Sequence, residues 1–174
     1  MLYLVKYPYE CAEQRASRVL AIAALKDVLT AFKTKDLPSP AAMASSVSTD
    51  LERLSQLQNH DGGFSFWERG RPSEPYVSAY VASALARAKK KGFDVPAGMI
   101  ERAKPYLQNI ENYYPHWYPQ EVRWAISAYA LYTRKQIGDL DIAKGRKLLA
   151  DAGGVTKVTM ETNGWLLGLF AGNK

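Results

Sequence analysis

The sequence predicts an all-α protein built of helical hairpins, and three observations lead there. Apolar residues recur at helical spacing through every long segment, proline and glycine punctuate those segments at regular intervals, and no stretch alternates apolar with polar as a half-buried strand does. The segment from Cys11 to about Lys33 is apolar nearly all round between Val19 and Leu25, with Ile22, Leu25, Leu29 and Phe32 continuing the spacing, which predicts a buried helix. "TKDLPSP" breaks it. A second helix fits 40–59, closed by "NHDGGF", whose Asp61, Gly62 and Gly63 supply turn chemistry.

Val77, Tyr80, Val81, Ala84, Leu85 and Ala88 mark a third helix over about 74–91, ended by Gly92, and another follows Pro96. The next opens at Pro119, lines up Val122, Ala125, Ile126, Tyr129 and Thr133, and stops at Gly138. A short helix over 141–151 and an apolar one through "METNGWLLGLFAG" complete the pattern. "SAY" at 78–80 recurs at 127–129, and "AK" at 103–104 recurs at 143–144. These offsets suggest paired helices, which stack either as an open solenoid or as a closed ring with apolar inner and polar outer helices. The chain reaches its last residues inside an apolar helix, so an incomplete ring, part of a larger one, is expected.

Length and composition bound the rest. A chain of 174 residues, 47% hydrophobic, is expected to form one domain over 1–174. Its longest uninterrupted apolar run, Val19 to Leu25, is far short of the roughly 20 residues that cross a bilayer, so no direct membrane insertion is expected. The net charge of +6 concentrates in "RAKKKG" at 87–92, at a helix end where lysines complement the dipole, with no interleaved aromatics, so nucleic acid is not an expected partner. One cysteine excludes an intramolecular disulfide, and one cysteine with two histidines is too few soft ligands for a closed zinc site. No cofactor or metal is expected.

Cys11 opens the first helix and Gln14 follows three positions on, close enough around a helix for their side chains to touch. That pair fits three readings: a small buried residue beside a first-turn glutamine, a nucleophile activated by the helix N-terminus and His60 or His116, or two side chains joined to each other.

The segment "YPYECAEQ" resembles the thioester motif of the alpha-2-macroglobulin and complement superfamily, and its Tyr-Pro-Tyr lead-in is similar to bacterial members. "HDGGFSFW", "YVSAYVASALARAKKKGFDVP" and "NGWLLGL" resemble successive later parts of the family's thioester-bearing domain, so the likeness covers nearly the whole chain. It implies an α/α toroid, terpenoid-cyclase-like in fold. It implies that Cys11 is the sulfur partner, Gln14 the acyl donor and Glu13 the acidic neighbour. The position ahead of the cysteine, commonly glycine in the family, is Glu10 here.

A thioester is an activated acyl group that water destroys unless it is covered. Tyr7 and Tyr9 flank the motif, and "NYYPHWYP" at 112–119 brings Tyr113, Tyr114, Trp117 and Tyr118 into one loop. These aromatics suit a cover or, equally, filling of the rim. In some family members a histidine first takes the acyl group, and His116 is the candidate. The resemblance implies a large secreted or periplasmic endopeptidase inhibitor, a covalent trap that acts once and is not a turnover enzyme. Its partners are the attacking protease, captured through lysine or hydroxyl groups, and the other domains of the parent chain. Two rival classes are an α/α-toroid enzyme acting on a glycan or isoprenoid, for which "GDLD" at 138–141 is the nearest acidic candidate, and a helical interaction scaffold.

Overall fold

Proline and capping residues set the helix boundaries in the computed structural model, which describes residues 10–31 and 38–172. Seven α-helices occur among them: α1 Ala12–Ala31, α2 Pro40–Leu57, α3 Pro75–Lys90, α4 Met99–Gln108, α5 Gln120–Gln136, α6 Ile142–Asp151 and α7 Met160–Phe170. Short 3-10 turns at Ile110–Tyr113 and Val155–Lys157 join them. Pro40 and Pro75 stand in first turns, where the missing N–H costs nothing. Ser39, Asp141 and Thr159 cap α2, α6 and α7 by accepting from the backbone N–H groups of Ala42, Lys144 and Thr162. No strand forms among the described residues; the nearest approach is one isolated bridge between Gln58 and Phe64.

Alternate helices sort into two layers. The packing runs α1 to α3 to α5 to α7 through an inner row, while α2 lies outside against α1, α4 against α3 and α5, and α6 against α5 and α7. This is the α/α arrangement of a toroid. Burial follows from position in the row. The interior helix α3 has neighbours on several sides, so Val77, Ala79, Val81, Ala82, Ala84, Leu85 and Ala88 are all buried.

The expectation of burial all round α1 needs correcting, because Ala24 and Leu25 are exposed while Val19, Ile22 and Ala23 are buried. A helix at the end of a row has an inner neighbour on one side only. At the other end α7 likewise exposes Met160 and Leu167 while burying Leu166 and Leu169. Leu29 carries no side-chain description, and Phe32 lies outside the described residues.

The "SAY" repeat has a structural meaning. Ser78 and Ser127 lie on the inner helices α3 and α5, and both are buried. Each hydroxyl ties down the loop preceding its helix: Phe64 N donates to Ser78 Oγ at 2.8 Å, and Ser127 Oγ meets the Tyr114 hydroxyl at 2.7 Å. The "AK" pairs fall on outer helices α4 and α6.

The loop after α2 is held by side chains rather than by ladder bonds. Asp61 accepts from Gly63 N and Ser73 Oγ, each at 2.9 Å; Asn59 Nδ2 donates to Arg71 O and its Oδ1 accepts from Gly70 N. Gln58 Nε2 donates to Gly62 O and to Met99 O, joining the loop to the start of α4. Phe64 is wholly buried beneath it. Gly62 has φ +88°, and a Cβ there would overlap the Arg102 carbonyl. Gly62→Ala is therefore expected to destabilise the protein by about 3 kcal/mol, from the strained φ and the backbone clash together. Urea unfolding checks this, and a loss under about 1 kcal/mol would show that the loop yields easily.

Candidate functional site

Cys11 is the residue immediately before α1 and is 2% exposed. Its backbone carbonyl accepts from Arg15 N at 3.0 Å, so it acts as the helix cap and its side chain projects at the head of the first turn. Gln14, one turn on and half-buried, reaches back: its Oε1 accepts from Cys11 N at 3.1 Å and also from the Cys11 thiol. The carboxamide is thus pressed against sulfur, with a backbone N–H holding its oxygen. Ala12 N donates to Phe66 O at 2.8 Å, so the "HDGGFSFW" loop fixes the head of α1 from outside.

Beneath the motif lies a charge cluster. Asp50 of α2 is wholly buried, and its carboxylate accepts from Arg15 Nη1 at 3.0 Å and from Arg18 Nε and Nη2 at 2.5 Å each. The hydrogen bond to Asp50 leads in pushing Arg18 above its ordinary pKa. Arg15 Nε also donates to Glu10 O at 3.0 Å, tying the residue before the cysteine to the same guanidinium.

Glu10 turns its carboxylate to Arg15 at 2.5 Å and Arg18 at 3.4 Å. Burial works to raise its pKa, but the two guanidiniums outweigh it and hold the carboxyl below its ordinary value. The charge beside the thiol is thereby balanced. None of the described non-glycine residues has positive φ, so Glu10 takes the family's usual glycine position without left-handed backbone.

Asp50, Arg15 and Arg18 escaped the sequence reading. The signal was a lone carboxylate at the spacing of Met43, Val47, Leu51 and Leu54 on the apolar face of α2, with two arginines three apart in a helix otherwise read as buried.

The other candidates are placed unevenly. Tyr118 is half-buried; burial leads in raising its pKa and the nearby Glu74 carboxylate adds to it, while Glu74 N donates to Phe64 O at 2.8 Å. Tyr118 shares a cavity wall with Tyr76 of the first turn of α3. Tyr113 stacks on Tyr106 at 4.1 Å and Tyr114 bonds Ser127, so both fill the rim. His116 is exposed, with its ring edge-on to Trp117 at 4.9 Å, and His60 is exposed in the loop after α2. Tyr7 and Tyr9 lie outside the described residues. In "GDLD", Asp139 and Asp141 pair with Arg134 at 2.7 and 3.2 Å, a structural use. Among the described residues no group of His, Cys, Asp and Glu is arranged to hold a metal, and no helix is long and apolar enough to cross a membrane.

Comparison with known proteins completes the assignment. The family model of the A-macroglobulin TED domain matches residues 1–112. The chain belongs to this family. Alpha-2-macroglobulin of Escherichia coli K12 is 35% identical over 111 residues, which is 61% of this chain and 7% of that protein. Its counterpart from Rickettsia conorii is 31% identical over 114 residues, 63% of this chain and 6% of that protein. The matched segment therefore spans less than a tenth of the length of these macroglobulins. The crystal structure of native E. coli alpha-2-macroglobulin from domain MG7 to the C-terminus superposes with a TM-score of 0.76 at 24% identity, covering 97% of this chain and 28% of that one. Salmonella alpha-2-macroglobulin reacted with methylamine gives 0.72 at 23%, covering 97% and 11%. These likenesses establish the TED-domain fold.

Removing the buried carboxylate strands two guanidiniums, so Asp50→Ala is expected to cost about 3–5 kcal/mol in urea unfolding. Glu10→Gln, at a half-exposed site, costs less than about 1 kcal/mol and less still in high salt. Because the folded Glu10 pKa lies below its usual 4.5, this small contribution is present above that value and disappears as pH falls through the folded pKa. Wild type and Glu10→Gln should thus converge in stability on acidification.

Proposed function

We propose that Cys11 and Gln14 form an intramolecular thioester and that the chain is the reactive domain of a bacterial alpha-2-macroglobulin acting as an endopeptidase inhibitor. The observation that carries this reading is the Gln14 carboxamide held against the buried Cys11 sulfur at the head of α1. Loss of ammonia from that carboxamide joins Sγ to Cδ. The Cys11 N–H then lies beside the acyl oxygen, where it would polarise the carbonyl toward attack.

An attacking protease supplies the acceptor. Its lysine amine or hydroxyl takes the Gln14 acyl group, Cys11 is freed as a thiol, and the protease is left covalently attached. Each domain reacts once, which makes the parent a trap and not a catalyst. Glu13 is the acidic member of the motif. Tyr118 and Tyr7 and Tyr9 of the lead-in serve as cover against water, together with the other domains of the parent chain. The reaction on Salmonella alpha-2-macroglobulin with methylamine supports the same chemistry here. An extracytoplasmic site of action, secreted or periplasmic, follows from the role of intercepting foreign proteases. His116, exposed in the loop before α5, is the candidate for an intermediate acyl carrier.

Intact mass and thiol counting test the thioester together. Wild-type protein is expected to be lighter than its sequence mass by about 17 Da, the ammonia expelled on acylation, and to resist alkylation. Methylamine should add one equivalent to Gln14 and release one alkylatable thiol. An unmodified mass with Cys11 freely alkylated would overturn the proposal.

A further inference from the structure

Tyr76, in the first turn of α3, lines a cavity of about 240 Å³. The cavity is lined by Tyr76, Tyr118, Tyr129 and Glu161 with aliphatic residues of α5, and no lysine or arginine lines it although the chain carries +6. The rings form a continuous surface: Tyr76 stacks on Tyr80 at 5.9 Å and leans on Tyr129 at 6.3 Å. Tyr80 in turn meets Ser17 of α1 at 3.0 Å, and Ser17 bonds the Glu13 carbonyl, which binds this surface to the turn that holds Gln14.

Glu161 lines the cavity, and a second carboxylate, Glu13, belongs to the turn that Ser17 ties to this surface. Glu13 lies within the motif itself and Glu161 in the first turn of α7, and both act electrostatically on the Tyr76 hydroxyl, whose pKa burial chiefly raises. Neither carboxylate has an ion-pair partner among the described residues. The contrast is with the larger cavity of about 430 Å³ between α5 and α6, where Lys144 pairs with Glu111 and Lys147 with Asp151.

We propose that this cavity is the acceptor subsite of the acylation, collecting a cationic primary amine on the faces of Tyr76, Tyr118 and Tyr129 with Glu161 and Glu13 as counter-charges. It rests on the thioester reading and selects amines over hydroxyl acceptors. Aromatic faces with nearby carboxylates attract an ammonium and leave a neutral hydroxyl without gain. The ammonium gives one proton to solvent through the carboxylates. Its nitrogen then bonds Gln14 Cδ, the Cδ–Sγ bond breaks with its electron pair on Cys11 sulfur, the sulfur takes a second proton, and the third hydrogen stays on the new amide.

The test compares release of the Cys11 thiol by methylamine, a cation at neutral pH, and by hydroxylamine, which is neutral there. Glu161→Gln, at an exposed position, is expected to slow methylamine about fivefold while leaving hydroxylamine within about twofold, the size of a partly screened charge contact. Tyr76→Leu should shift the same ratio in the same direction. Equal effects on both nucleophiles, or none on either, would overturn the subsite while leaving the thioester standing. Failure of both reagents to release a thiol from wild type would overturn the thioester and the subsite with it.

Discussion

The Asp50 carboxylate, wholly buried between Arg15 and Arg18, is the interaction on which the rest of the site depends. A buried ion needs its partners in good geometry, so the cluster sets the rotation of α1 against α2 within narrow limits. Rotation of α1 decides where its first turn points. Arg15 then carries the constraint outward, because it also holds the Glu10 carbonyl and carboxylate and so fixes the backbone entering Cys11. Polar packing beneath the motif thus aims the sulfur, while Phe66 O clamps Ala12 N from above.

Chemistry at the head of α1 follows from this rigidity. Two side chains one turn apart are near each other in any helix, but a bond between them forms only if both are held in place. Burial of Cys11 keeps the sulfur from water, and the short reach of Gln14 is limited by the backbone N–H that holds its oxygen. The inner row of helices places several N-terminal ends together, so the loops after α2 and before α5 both contribute to this end of the molecule. Their aromatic residues include Phe66 and Trp67 on one and Trp117 and Tyr118 on the other, all retaining exposed surface.

Much of this was legible in the sequence, for physical reasons that differ by element. Helix periods, prolines in first turns and glycines past helix ends are local signals, and they located α2, α3 and α5 through α7 to within two residues. Pro119, read as opening a helix, is the residue just before α5 begins at Gln120. The Cys11–Gln14 contact was legible because it is also local, three residues apart. Asp50 with Arg15 and Arg18 was not, since the partners lie 35 and 32 residues apart and only tertiary packing brings them together. Burial around α1 was overestimated at Ala24 and Leu25 because hydropathy shows that a face is apolar without showing whether a neighbour covers it.

The most direct measurement is the ¹³C spectrum of protein labelled at the glutamine side-chain carbonyl, because a thioester carbon resonates well downfield of any amide. One resonance in the thioester region, absent from Cys11→Ala, is the result predicted for a domain that holds its acyl group on sulfur. A wild-type spectrum with every glutamine carbonyl in the amide envelope would contradict it.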